Sequence, residues 1–88
     1  MKDIFLERYP SMDLHGYDRD SARMATNDFV LENIILGNET IVIVHGKGEG
    51  IVKKEVHEAL RVNKNVIDYK TDNFNDGVTV VRLKLSLH

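Results

Sequence analysis

The stretch Ile41-Val42-Ile43-Val44-His45-Gly46-Lys47-Gly48-Glu49-Gly50 decides how the chain is read. Four β-branched residues in a row, with no polar alternation, predict a central strand buried on both faces. Glycines at alternate positions follow, interleaved with Lys47 and Glu49. From Ile51 to Asn63 the period becomes helical. Val52, Val56, Ala59 and Leu60 share one side, and Lys53, Lys54, His57, Glu58 and Arg61 share the other. The segment is therefore strand, glycine loop, helix.

Reading towards the N-terminus, Gly37-Asn38 is a helix stop, and Asp18 or Asp20 a helix start. That helix has two apolar stripes. Ala22, Ala25, Phe29 and Leu36 form one, and Met24, Leu31 and Ile35 form a second, nearly opposite. One stripe suffices against a sheet, so the second needs a cover. The covers expected are the arm carrying Ile4, Phe5 and Leu6, or a second copy of the chain as a homodimer through this helix. Ser11 to His15 reads as a short strand, with Met12 and Leu14 on one face and Asp13 and His15 on the other. Pro10 separates residues 1–10, a short arm, from a single domain over 11–88.

Towards the C-terminus, Val66–Thr71 and Val78–Leu85 read as strands joined through 72–77, a hairpin with a long loop. Val81, Leu83 and Leu85 alternate with Arg82 and Lys84, so the last strand has one wet face. The order is β-α-β-α-β-β. Right-handed crossovers put both helices on one face. The predicted fold is a two-layer α/β sandwich on a mixed four-stranded sheet. In that fold the loops after Leu14 and Val44 leave one edge of the sheet, at the carboxyl ends of parallel strands, where such sheets place ligands.

The 88 residues allow one small domain, and 42% apolar with 30% charged content is ordinary for a globular chain. The net charge of -2 argues against nucleic-acid binding driven by bulk charge, so any such contact needs a local basic patch. Cysteine is absent, which excludes disulfides and thiolate zinc sites. The start of the chain is neither a signal peptide nor a membrane span, and a cytoplasmic location with no membrane contact is expected.

The glycines of the second loop let successive N–H groups turn inward, the following helix adds its positive end, and Lys47 adds a mobile charge. That suits one phosphate. The Walker pattern is absent, and on the loop alone a plain turn is an equal reading. In the first loop, an aspartate two residues from a histidine can fix its tautomer and raise its basicity. Such a histidine can exchange protons in phosphodiester cleavage. Asp13, His15 and His45 are also imaginable zinc ligands, but they lack a local ligand pair at helical spacing. Tyr17 could stack on a base or pack over its loop. His57 and His88 read as an exposed helix residue and a chain end, without a role.

Met12-Asp13-Leu14-His15-Gly16 resembles the LDLHG box of the small MutS-related (Smr) domain. His45-Gly46-Lys47-Gly48 resembles the HGxG box of that family, and Gly77-Val78-Thr79 its closing Gly-x-Thr strand. Met12 stands where leucine is usual, and the hairpin loop has one glycine where members carry several. The resemblance covers about Met12 to Leu85 and implies a fold like the C-terminal domain of translation initiation factor three. With so short an N-terminal arm, a stand-alone member is expected. The resemblance further implies nucleic-acid binding, with endonuclease or nicking activity on DNA or RNA in many members. Carried over, Asp13 and His15 become the acid–base pair and His45 a second catalytic candidate. Gly16, Gly46, Lys47, Gly48 and Gly50 become phosphate-binding. Arg19, Arg23, Lys53 and Lys54 are candidates for guiding the backbone, against the plainer reading of a solvated helix face. No cofactor is required, and a divalent metal stays open. The alternative is a non-catalytic module that recognises structured DNA, RNA or a ribosomal surface.

Overall fold

A computed structural model describes residues 8–48 and 50–85. The elements are β1 (Ser11–Asp13), α1 (Arg19–Leu36), β2 (Thr40–Val44), α2 (Ile51–Arg61), β3 (Val66–Thr71) and β4 (Val78–Leu83). The sheet order is β1-β2-β4-β3. β1 runs parallel to β2, while β4 is antiparallel to both β2 and β3. This is the mixed four-stranded α/β fold expected from the sequence.

IVIV is central, as its lack of alternation predicted. Ile41 and Ile43 are fully buried under the helices, and Val42, on the opposite face, is 3% exposed. One apolar cluster unites Ile41, Ile43, Val81 and Leu83 of the sheet with Ala22, Val30, Val56 and Leu60 of the helices, so both helices cover one face. Leu14, fully buried, plugs the end of this layer beside β1. The other face is wetter, with Arg82 of β4 forming an exposed ion pair with Asp68 of β3 (2.8 Å). A register shift between Val66 and Asp68 leaves Ile67 exposed on the edge strand.

α1 begins where its cap is. The Asp18 carboxylate accepts from the Ser21 N–H at 2.8 Å, and that bond to the backbone is the main cause of its lowered pKa. The helix ends at Gly37, whose left-handed φ of 80° lets Gly37 and Asn38 N–H groups close on the carbonyls of the last turn. The buried face differs from the predicted stripe. It is Ala22, Thr26, Val30 and Asn33, with Ala25 and Phe29 half-buried and Leu36 exposed. Thr26 and Asn33 escape an apolarity count, yet both fit inside because their side chains bond to carbonyls one turn back. Thr26 donates to Ala22 (2.7 Å) and Asn33 to Phe29 (2.8 Å). Met24, Leu31 and Ile35, the second stripe, are 63%, 55% and 75% exposed in the single chain. The arm expected to cover them, with Ile4, Phe5 and Leu6, lies outside the described residues.

β1 is shorter than expected. It stops at Asp13, so His15 lies in the loop and does not share a strand face with Asp13. The chain turns at Gly16, with φ 85°, and Tyr17 N–H closes the turn on Leu14 C=O at 3.0 Å.

Candidate phosphodiester site at the sheet edge

Leu14 N–H donates to Val44 C=O at 2.7 Å, and Asp13 pairs with Val44 in the parallel ladder. The residues that follow Leu14 and Val44 are His15 and His45. The two His-Gly loops therefore leave adjacent strands side by side, and the 72–77 loop enters β4 at the same edge.

The first loop is open. Asp13 and His15 are both exposed. The Asp13 carboxylate accepts from the backbone N–H of His15 at 2.9 Å. It shapes the turn that carries the histidine and does not orient the imidazole. Among the described residues, neither Asp13 nor His15 has a side-chain bond to His45 or Lys47, and no three His, Cys, Asp or Glu side chains converge as metal ligands. Tyr17 is 43% exposed beside this loop.

The second loop is braced. The N–H groups of His45 and Gly46 both donate to Gly77 C=O, at 2.9 and 3.0 Å. Gly46 takes φ 83°. A Cβ on Gly77 would lie 3.1 Å from the Gly46 carbonyl carbon, so any larger residue in the hairpin loop at this point would press the Gly46 backbone outward. His45 is 6% exposed. Its Nε2 lies 2.7 Å from Thr79 Oγ1, and its Nδ1 lies 3.0 Å from its neighbour's carbonyl, Gly46 C=O. Burial, the largest cause, lowers its pKa, against a smaller opposing effect of the Gly46 bond. With both nitrogens engaged, His45 ties the loop to β4.

Beyond the brace, a hollow of about 210 Å³ is lined by Lys47, Gly48, Gly50 and the first turn of α2. Gly50 holds φ 81° at the helix N-cap. The first intrahelical bond is Lys54 N–H to Gly50 C=O, so the N–H groups of Ile51, Val52 and Lys53 have no intrahelical partner. Lys47 Nζ lies 3.9 Å from the Asp76 carboxylate, an exposed and weak pair that a phosphate can displace. Arg23 of α1 is held by Glu55 (3.2 Å) and Asp20 (3.3 Å), while Lys53 of α2 lines the hollow and Lys54 a neighbouring groove on the same helix.

Two residues given no role by the sequence belong here. His57 of α2 lies 2.8 Å, through Nε2, from the same Thr79 hydroxyl. Its ring stands edge-on to His45 (5.9 Å between centroids) and against Tyr69 (5.1 Å). Its pKa is lowered, first by burial, then by the charges of His45 and Lys53. His57 follows Val56, so it sits about 100° round the helix from a core position, on the border between buried and solvated faces. That border position was the available signal, together with Thr79 inside the Gly-x-Thr strand.

The comparisons with known proteins agree with this frame. The family profile described as Smr domain matches residues 12–84. The chain is 35% identical over 77 residues to Endonuclease MutS2 of Clostridium acetobutylicum, covering 84% of this chain and 10% of that protein. It is 34% identical over 76 residues to Endonuclease MutS2 of Staphylococcus saprophyticus, covering 83% and 10%. The chain thus spans about a tenth of the length of these curated relatives. Among solved structures, the Smr domain of Thermus thermophilus MutS2 superposes with a TM-score of 0.81 at 32% identity, covering 84% of this chain and 96% of that one. YdaL, a stand-alone small MutS-related protein from Escherichia coli, gives 0.80 at 25% identity, covering 86% and 67%. A profile spanning nearly the whole chain, over a fold with both His-Gly loops on one edge, identifies this protein as a member of the Smr domain family.

Proposed function

We propose that the chain binds nucleic acid at this edge and cleaves its phosphodiester backbone, as the relatives named endonucleases suggest. The observation that carries the reading is the parallel ladder bond from Leu14 to Val44, which sets the two His-Gly loops side by side. Lys47, the loop backbone and the N–H groups opening α2 hold one phosphate in the hollow. His15 is the proton acceptor: its ring has no protein partner among the described residues, and it stands exposed at the same edge. It takes the proton of the attacking oxygen as that oxygen bonds to phosphorus. The bond to the leaving oxygen breaks, and solvent returns a proton to it. Asp13 positions His15 through the backbone. His45 positions the phosphate loop and takes no part in proton transfer.

The test is a cleavage assay of purified protein on labelled RNA and DNA, with and without EDTA, beside His15→Ala. Loss of cleavage by at least about 100-fold in the variant is expected for a general base. Cleavage that survives His15→Ala sinks the mechanism. Binding with no cleavage of any substrate favours the second reading, a non-catalytic module. That reading draws support from the Asp13 carboxylate, which is spent on a backbone N–H and does not activate a ring.

A further inference from the structure

The Thr79 hydroxyl lies between two histidines, and it has one hydrogen. The Gly46 carbonyl can only accept, so His45 Nδ1, at 3.0 Å, carries the hydrogen of the neutral ring. His45 Nε2 is then bare and accepts from Thr79 at 2.7 Å. With its hydrogen spent, Thr79 can only accept from His57 at 2.8 Å, so His57 carries its hydrogen on Nε2. The chain of donors runs His57 to Thr79 to His45 to Gly46. Burial favours the neutral state of both rings that this count needs.

One consequence concerns His57 Nδ1. It is a bare acceptor with no protein partner among the described residues. No buried side-chain nitrogen or oxygen among them lacks a partner, so this nitrogen meets solvent. His57 lines an open groove of about 310 Å³ with Gly50, Lys53, Lys54, Glu58, Arg61 and Tyr69, in which Glu58 is paired to Arg61 and Lys53 and Lys54 are the cations left to meet a backbone. Gly50 and Lys53 also line the hollow assigned to phosphate, so the groove continues it across the first turn of α2. A nucleic-acid strand lying through both would place sugar next to His57. Phosphate oxygens accept hydrogen bonds and cannot satisfy a bare nitrogen. In a nucleic-acid backbone the donor is the ribose 2′-hydroxyl, which DNA lacks.

We infer that His57, held as the Nε2–H tautomer by Thr79, reads ribose: its Nδ1 accepts the 2′-hydroxyl of the nucleotide beside the bound phosphate and makes the site prefer RNA to DNA. This rests on the phosphate-site reading above. The experiment has two arms. In free protein, imidazole 15N shifts at pH 7.5 should report hydrogen on Nε2 of His57 and on Nδ1 of His45; the opposite tautomers overturn the inference without any nucleic acid. In the second arm, wild-type protein is titrated into single-stranded RNA, 2′-O-methyl RNA and DNA of one sequence at one salt concentration. One hydrogen bond predicts roughly 3- to 10-fold tighter binding of RNA, with the 2′-O-methyl strand falling in with DNA. His57→Phe should bring RNA affinity down to that for DNA, and Thr79→Ser, which keeps the hydroxyl, should retain the preference. Equal affinity of the wild type for RNA and DNA overturns the ribose reading, and if Lys47→Ala still weakens both, the phosphate site stands. Binding of no strand overturns both.

Discussion

The two His-Gly loops look alike in sequence and begin alike in space. Each follows a parallel strand, and each turns at a left-handed glycine, Gly16 at φ 85° and Gly46 at φ 83°. They then diverge. The second is held by two N–H bonds to Gly77 and by a histidine whose nitrogens are both engaged. The first is held by a single side chain, Asp13, and a closing turn, and presents its histidine to solvent. One motif thus serves two purposes. In the proposed function the braced loop is the phosphate cradle, and the open loop, with its exposed histidine, is the place of proton transfer. His57 joins the braced side through Thr79.

The comparison can be broken most sharply at Gly77. A Cβ there meets the backbone of Gly46, so Gly77→Ala should shift the braced loop and cost about 1–3 kcal/mol by thermal or urea unfolding. Phosphate-backbone affinity should fall with it. Unchanged stability would mean that the two backbones do not need this approach.

Gly16→Ala gives the smaller counterpart. Nothing lies within 4 Å of the added Cβ, so the cost is the left-handed backbone alone, about 1–2 kcal/mol. Because the open loop is tied only locally, the loss should leave affinity for a phosphate backbone intact. A drop in affinity matching that of Gly77→Ala would erase the distinction between the loops.

Acid should act most gently. The folded pKa values of His45 and His57 lie below the ordinary 6.5, so the unfolded chain binds more protons than the folded one in this range. Stability is therefore full above pH 6.5 and declines as pH falls through that value towards the folded pKa values. Tm measured from pH 7.5 to 5.5 should decrease, and the slope should be shallower in His57→Phe. A flat wild-type profile would contradict the neutral, buried state of the braced pair.

Much of this was legible before the fold was known. Gly37 marked the end of α1, two candidate caps, Asp18 and Asp20, bracketed its start, of which Asp18 is the cap, and four β-branched residues marked β2 as central. The spacing of Asp13-Leu14-His15-Gly16 and His45-Gly46-Lys47-Gly48 pointed to one edge, because crossover handedness leaves few alternatives. The inward face of α1 was misread at Thr26 and Asn33, where a polar side chain bonded to its own helix behaves as a core residue. His57 was overlooked for a related reason. On a helix wheel it borders the charged side, and only the approach of Thr79, 22 residues away, gives its Nε2 a partner.

The sequence by itself determined the order of elements, the stop at Gly37 and the central strand, since these follow from periodicity and local backbone chemistry, and the two boxes were legible through their resemblance to a known family. Tertiary structure decided what each histidine does. A hydrogen bond between positions 45 and 79, or 57 and 79, depends on strand register and helix placement that no local pattern encodes. Whether Asp13 touches a ring or a backbone N–H depends on where β1 ends, and β1 ends at Asp13.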